Sequence, residues 1–201
     1  MASRKQSHDD ASLFLEYDVH IPTRTLYIGS VSMDEDGNEE GVNFRLSERV
    51  IKGLHLLDSI ASETPINIIL NNVGGEPEDG LAIYDAIKNC KNNTSITVFG
   101  KSWSMAGYIL QSSNERLMHK HSSFLLHEGT LGFTEQHRRN TKRWMEFSIK
   151  QEKILFNILL ERIKEKHPKF TAKKLEEMLM FDTILSPEET VELGLCDKVI
   201  D

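Results

Sequence analysis

Buried-strand runs alternate with helical faces through the first half of the chain, and this alternation constrains the fold more than any other feature. Residues 66–70 and 95–99 are rich in β-branched side chains, as strands buried on both faces are. Between them, Leu81, Tyr84 and Ile87 recur at the helical period. Parallel strands joined through helices form right-handed units, so the pattern predicts an α/β fold with a mainly parallel sheet and repeated βαβ units.

Segments before and after residues 66–99 predict further strands and helices. Residues 26–28 predict an earlier strand, and Ser47 is predicted to cap the helix that follows it. Gly100 is predicted to end the strand that begins at Ser95. The apolar positions of the first helix are Val50, Leu54, Leu57 and Ala61, and later short strands are predicted at residues 117–118, 123–126 and 197–200.

Two later segments carry helix signals. The segment from about Glu135 to Lys166 predicts one long helix, with Pro168 just beyond its end. At 1.5 Å per residue it would span roughly 45 Å, more than a small domain needs, so we expect it to project. Further on, Ser186 and Glu189 form a capping-box pattern before a short helix that Gly194 is placed to end.

Composition excludes several classes of protein. The 201 residues suit a single domain, and the net charge of −7 argues against nucleic acid or an anionic membrane as the main partner. Cys90 and Cys196 lie far apart and in no CxxC pattern, which indicates neither a disulfide framework nor a zinc site. The apolar run at residues 13–15 is too short for a leader peptide. A cytoplasmic protein is expected.

Residues able to carry chemistry follow three of the predicted strands. Gly74-Gly75 follows the first buried strand, Ser104 follows the second, and His127 closes a later one. Active sites in open α/β sheets lie at the carboxyl ends of the strands, so these residues are expected to share a cleft. The small neighbours of Ser104, two residues away on each side, allow a sharp turn that exposes its hydroxyl.

Each of these residues also has a structural interpretation. A serine at a helix start is most often an N-cap, paired glycines are most often a tight turn, and a single histidine after an apolar strand is most often packed. In the catalytic interpretation, Ser104 is a nucleophile, His127 its base, and the N–H groups of Gly75 and Met105 an oxyanion hole. The residues alone leave both interpretations open.

No metal site is expected. His119 and His121 are two residues apart and could share a face in an extended segment, but no third ligand lies near them in the sequence. The acidic segment 34–40 resembles a calcium loop only superficially, because its glycine falls too early for that spacing. We predict a solvated turn there.

Taken together, the segments resemble the Clp protease proteolytic subunit (ClpP) family, of which the chain is identified as a divergent member. The resemblance covers residues 23–200 and implies that Ser104 is the nucleophile, His127 the general base and then acid, and Asp182 the carboxylate that orients the imidazole. It also implies that Gly75 and Met105 are the oxyanion donors. The matching segments are residues 66–87, with Gly80–Asp85 among them, the pair Ser104-Met105, residues 124–127, and the tail of residues 181–186 with Glu188, Glu189, Gly194 and Leu195.

The same resemblance implies an architecture and partners. We expect a ClpP/crotonase-type fold in which residues 1–22 form an amino-terminal axial segment and residues 23–201 a single serine peptidase domain with a handle helix at about 135–166. The family cleaves unfolded polypeptides inside a homo-oligomer, expected here as two stacked heptameric rings. A separate AAA+ unfoldase of the ClpX, ClpA or ClpC type would use ATP, since this chain carries no GxxxxGK[ST] loop and is expected to need no cofactor.

Departures from the family pattern keep other functions in view. Val73 stands where the family usually has proline, Asn72 where it often has serine, and residues 128–133 replace the usual stretch after the histidine. One alternative is a crotonase-type acyl-CoA enzyme, which uses paired N–H groups and no serine nucleophile. A second alternative is a catalytically silent ring scaffold subunit. A third is a serine-lysine peptidase with Lys101 as the base, which is disfavoured because adjacent side chains on a strand point to opposite faces.

Overall fold

A computed structural model of the protein describes residues 2–30, 33, 37–60, 63–129 and 138–201. Within these residues the chain forms seven helices around one eight-stranded sheet. The strands are β1 (Val19–His20), β2 (Thr25–Gly29), β3 (Ile66–Asn72), β4 (Thr94–Trp103), β5 (Glu115–His119), β6 (Ser123–Leu126), β7 (Thr183–Leu185) and β8 (Lys198–Ile200). The helices are α1 (Ala2–Tyr17), α2 (Phe44–Ser59), α3 (Pro77–Lys88), α4 (Met105–Leu110), α5 (Arg138–Lys166), α6 (Ala172–Leu179) and α7 (Pro187–Leu193).

The sheet is mainly parallel, which confirms the predicted α/β class. Its main path runs β1-β2-β3-β4-β5-β8, and every pairing from β2 to β8 along it is parallel. The short strand β1 is antiparallel to β2, so part of the predicted amino-terminal segment lies in the sheet. Off the main path, β6 pairs in parallel with β4 and antiparallel with β7.

Strand β4 bends at Gly100 and continues, so the prediction that Gly100 ends this strand is wrong. Gly100 has a φ of 79°, a conformation that glycine adopts without the Cβ clash that other residues meet. Before the bend, residues 95–98 pair with β5, and after it, residues 101–103 pair with β6. The bend therefore brings the end of β6 beside the end of β4.

Helix α2 begins earlier than the sequence predicted, because Asn43 and not Ser47 is its N-cap. The Asn43 side chain accepts a hydrogen bond from the Leu46 N–H at 3.0 Å, which satisfies one of the free donors of the first turn. Ser47 lies inside the helix and is buried. Its hydroxyl donates to the Phe44 carbonyl and to the Asp79 carboxylate, both within 3.1 Å, and so joins α2 to α3.

The predicted helical faces form much of the core. Val50, Leu54 and Leu57 of α2 are buried against the sheet, as predicted, while Ala61 lies outside the described residues. On α3 the buried apolar side chains are Ile83 and Ile87, whereas the predicted Leu81 and Tyr84 are half-buried. Burying one such aliphatic side chain contributes about 1.5–3 kcal/mol.

Helix α5 extends away from the core over much of its length. It has 29 residues, about 44 Å at the usual rise, and none of its side chains from 139 to 154 is buried, whereas Leu155, Phe156 and Ile158 are partly buried against the core. Leu159 and Ile163, near its end, are fully buried. The predicted start at Glu135 falls in residues 130–137, outside the described part of the chain. None of the described helices has the length and apolar character that a membrane crossing requires.

The carboxyl-terminal part of the chain is tied to the sheet by Arg116. Its buried guanidinium forms an ion pair with Asp197 and donates to the Gln111 side chain at 2.9 Å and the Gly194 carbonyl at 3.1 Å. The predicted capping box of α7 is present at Ser186, and Gly194 ends that helix with a φ of 91°. These contacts fix α7 and β8 against β5.

Candidate active site

Ser104 occupies a sharp turn between β4 and α4. Its φ of 50° and ψ of −124° are unfavourable for a residue with a Cβ, which stores of the order of 1–3 kcal/mol of strain. Although it holds the N-cap position of α4, its hydroxyl makes no capping hydrogen bond. The Ser104 N–H donates to the Leu125 carbonyl of β6 at 2.9 Å and secures the turn. The hydroxyl is therefore available for another partner.

That partner is His127, the first residue after β6. Its Nε2 lies 2.7 Å from the Ser104 Oγ, so with the ring proton on Nδ1 the serine hydroxyl donates to Nε2. The side chain is 34% exposed, which leaves the ring reachable from one side. The next residue, Glu128, donates its N–H to the Leu179 carbonyl at 2.7 Å and holds the chain just beyond the ring.

Asp182 lies on the other side of the imidazole. Its Oδ1 is 3.3 Å from the His127 Nδ1, and its side chain is 69% exposed. The strand register explains this placement, because Leu126 pairs with Thr183 and the next antiparallel positions are His127 and Asp182. The structure thus brings together three side chains that the sequence separates widely, in the order hydroxyl, imidazole, carboxylate.

The N–H groups of Gly75 and Met105 lie on the two segments that meet at Ser104. Met105 begins α4, so its N–H has no carbonyl one turn earlier to bond. Val42 pairs in parallel with Gly75, and its bonds use the Gly74 carbonyl at 2.7 Å and the Glu76 N–H at 2.8 Å. Among the hydrogen bonds of the described residues, neither the Gly75 nor the Met105 N–H donates to a protein group.

The glycine loop leaves no space for side chains. A Cβ on Gly75 would lie 2.3 Å from the Val42 carbonyl oxygen. A Cβ on Gly74 would lie 2.7 Å from the Ser104 Cβ and 2.8 Å from the Met105 nitrogen. The loop therefore packs directly on the serine turn. Sequence reasoning identified Gly75 but missed the contact of Gly74 with Ser104 and the pairing with Val42, which joins residues distant in the sequence.

Other candidate groups have separate partners. The Lys101 amine forms an ion pair with Glu39 and lies 5.4 Å from the Trp103 ring centre, so a lysine base for Ser104 is not favoured. The His119 ring packs on Phe99 with centroids 4.0 Å apart. Across the described ranges, no group of three or more side chains is arranged to hold a metal ion.

A cleft of about 840 Å³ opens beside the imidazole. His127 and Glu128 form part of its wall, and the starting residues of α3 form another part. Much of the remaining surface is apolar, from α5, α6 and Tyr108. A space of this size can hold side chains of a bound ligand beside the imidazole. The lining includes Trp144, Phe147, Leu155, Phe156, Leu179 and Met180.

Comparison with known proteins identifies relatives along most of the chain. The sequence profile of the family described as Clp protease matches residues 38–201. The ATP-dependent Clp protease proteolytic subunit of Deinococcus radiodurans is 33% identical over 80% of this chain and 76% of its own length. Subunit 2 of Prochlorococcus marinus is 30% identical over 79% of this chain and 78% of its own length. The chloroplastic subunit 3 of Arabidopsis thaliana is 33% identical over 77% of this chain but 49% of its own length.

Proposed function

The chain belongs to the Clp protease family as a proteolytic subunit, and we propose that it hydrolyses peptide bonds of unfolded polypeptides with Ser104 as nucleophile, His127 as base and Asp182 as orienting carboxylate. The observation that carries this proposal is the 2.7 Å contact between Ser104 Oγ and His127 Nε2, made from a strained turn whose hydroxyl caps no helix. Membership of the Clp protease family supports a peptidase activity for the chain.

The proposed mechanism follows from the order of the three side chains, hydroxyl, imidazole and carboxylate. The serine hydroxyl gives its proton to His127 Nε2 as Oγ attacks the peptide carbonyl, and the imidazolium then protonates the leaving amine. Water, deprotonated by the same nitrogen, hydrolyses the acyl-enzyme. The Asp182 carboxylate, with Oδ1 3.3 Å from Nδ1, holds the ring proton on Nδ1 and stabilises the imidazolium, so that Nε2 first accepts the serine proton and then donates it. The tetrahedral oxyanion is bound by the N–H groups of Gly75 and Met105, neither of which donates to an acceptor in the described part of the chain.

Exposed apolar side chains on α5 support assembly into a homo-oligomer. Trp144, Met145, Phe147, Ile149 and Ile154 are each 42–61% exposed along the part of the helix that leaves the core. Several large apolar side chains exposed on one helix are typical of a protein interface. We infer that two heptameric rings stack through these helices and enclose the candidate sites, with residues 1–22 as the axial segment.

A separate ATPase is the second inferred partner. The relatives are named as subunits of an ATP-dependent protease, and this sequence has no nucleotide-binding loop of the GxxxxGK[ST] type. We therefore infer that an AAA+ unfoldase of the ClpX, ClpA or ClpC type delivers unfolded chains in the cytoplasm, and that this subunit uses no cofactor of its own. The acyl-CoA enzyme and the silent scaffold are not favoured, given the family match and the relatives' names.

A fluorophosphonate probe tests the proposed roles. We expect one adduct, located on Ser104 by mass spectrometry, that is absent in Ser104→Ala and forms at least about 10³-fold more slowly in His127→Ala. Ser102→Ala is the matched control, because Ser102 lies two residues earlier and is fully buried. An adduct that persists in Ser104→Ala, or an unlabelled wild type in which sizing shows assembled rings, would overturn the assignment.

A further inference from the structure

We propose that Asn72 is a positioning residue for the oxyanion hole: its buried side chain holds the Gly74-Gly75 loop against the turn of Ser104. This inference rests on the proposed function, because it assigns a role within the same site. Asn72 touches none of the reacting groups itself. It acts through the backbone of the next two residues.

The contact that carries the inference is short and buried. The Asn72 Oδ1 accepts the Gly74 N–H at 2.8 Å, and the asparagine is fully buried. An asparagine side chain that accepts the N–H two residues later forms an Asx turn, which replaces a backbone turn with a side-chain one. The direction of the loop at Gly74 is thus set by a side chain that belongs to β3.

The loop depends on such contacts because its own residues impose little. Gly74 and Gly75 have φ values of 90° and 149°, and glycine retains the greatest backbone freedom when contacts are lost. Two contacts restrict them. Val42 pairs with the backbone on either side of Gly75, and Asn72 holds the Gly74 N–H. Without Asn72, one of the two constraints on the Gly75 N–H is gone.

Asn72 also links the two halves of the oxyanion hole. It pairs with Ser102 of β4, two residues before Ser104, while the loop it holds packs against Ser104 and Met105. One side chain therefore sets the loop that carries the Gly75 donor relative to the turn that carries the Met105 donor. A shift of that loop changes the distance between the donors without unfolding the strand.

The other end of the amide argues against a purely structural role. Within the described ranges, the Asn72 Nδ2 is buried without a hydrogen-bond partner, and the hydroxyl of Ser102, which pairs with Asn72 on β4, is buried without one as well. A buried donor without an acceptor costs stability, so an apolar residue at 72 would suit the core better. An apolar residue, however, would offer no acceptor for the Gly74 N–H, and that acceptor is the role we assign to Asn72.

Three variants separate the acceptor from the volume. Asn72→Ala and Asn72→Ser leave similar space, but a serine hydroxyl can accept the N–H two residues later, more weakly than asparagine. Asn71→Ala is the matched control, because Asn71 is the adjacent asparagine and its side chain accepts the Lys101 N–H instead. Hydrolysis of a short fluorogenic peptide is measured with the assembled protein, and kcat is referred to the number of serines that a fluorophosphonate labels, so that unfolded molecules do not count.

We expect Asn72→Ala to lower kcat about 10- to 100-fold with KM within about threefold, somewhat less than the loss of a whole oxyanion donor. Affinity for a peptide boronate, which forms a tetrahedral adduct, should fall in proportion to kcat/KM. Asn72→Ser should stay within about fivefold of the wild type, and Asn71→Ala within about threefold.

Equal kcat values for Asn72→Ser and Asn72→Ala, or an Asn72→Ala kcat no lower than that of Asn71→Ala, would overturn the inference. A change in KM alone would overturn it as well. Failure of the proposed function looks different, because the wild type would then carry no label on Ser104 and hydrolyse no peptide. A labelled, active wild type with an unaffected Asn72→Ala variant removes only the positioning role.

Discussion

Replacing Gly74 with alanine should disable the candidate site while leaving the fold in place. The added Cβ would lie 2.6 Å from the Trp103 carbonyl oxygen, 2.7 Å from the Ser104 Cβ and 2.8 Å from the Met105 nitrogen. None of these atoms is the end of a flexible side chain, so none moves aside alone. The loop and the serine turn must therefore separate.

The size of the effect follows from the separation required. Relieving these contacts to about 3.4 Å requires a movement of about 0.6–0.8 Å between the loop and the turn. A misplacement near 1 Å costs about 10²-fold in rate when reacting groups must be aligned. The φ of 90° adds backbone strain of about 1–2 kcal/mol for a residue with a Cβ. We expect kcat to fall about 10²-fold and the folded protein to persist.

Gly37→Ala is the control for backbone strain. Gly37 has a φ of 80°, close to that of Gly74, but an added Cβ there meets no atom of the described residues within 4 Å. Both variants are compared in peptide hydrolysis and in the rate of fluorophosphonate labelling, with thermal melts to verify folding. If Gly74→Ala keeps a kcat within about threefold of Gly37→Ala, the packing argument for the site is refuted.

Three further predictions concern stability and reactivity. Arg116→Met should lower the free energy of unfolding by about 3 kcal/mol, because its buried acceptors lose their donor; a loss below about 1 kcal/mol in urea titration would contradict this. Burial raises the pKa of the Cys90 and Cys196 thiols to about 11, so at pH 8 iodoacetamide should alkylate both about a hundredfold more slowly than exposed cysteine; equal rates by mass spectrometry would refute it. The hydrogen bond from Lys101 lowers the pKa of the Glu39 carboxyl in the folded protein. The wild type should therefore be more stable than Glu39→Gln above the ordinary glutamate pKa, and this difference should disappear as the pH falls through the lowered pKa of Glu39. Melting temperatures that differ by the same amount at every pH would exclude this linkage.

The residues that meet at the site differ in how far the sequence could predict them. Ser104 and His127 directly follow strands of recognisable pattern, and in a parallel sheet such ends converge, so a shared cleft was predictable from the residues. Asp182 was predictable only by resemblance. Its position depends on the pairing of β7, a strand of three residues that is too short to carry a periodic signal.

Local signals failed where tertiary contacts decided the outcome. Serine is a typical N-cap residue, yet Asn43 and not Ser47 caps α2. The Ser47 hydroxyl instead donates a hydrogen bond to the Asp79 carboxylate on α3. Glycine typically ends a strand, yet β4 bends at Gly100 and continues, because the half of β4 after Gly100 pairs with β6. Neither Asp79 nor β6 is adjacent in sequence to the position it determines, so local propensity could not predict either result.

Asp182 directly precedes β7, a short strand with few hydrogen bonds to the sheet, so the position of its carboxylate is sensitive to heat. Strand β7 has three residues and, in the part of the chain that the structure describes, pairs with β6 alone, outside the main path of the sheet. Segments with few ladder bonds open locally at a free energy well below that of global unfolding. Warming should therefore release the carboxylate from the imidazole while Ile68, Val98 and the rest of the core remain packed. Catalysis would then fail reversibly at temperatures where circular dichroism still records a folded protein, and recover on cooling.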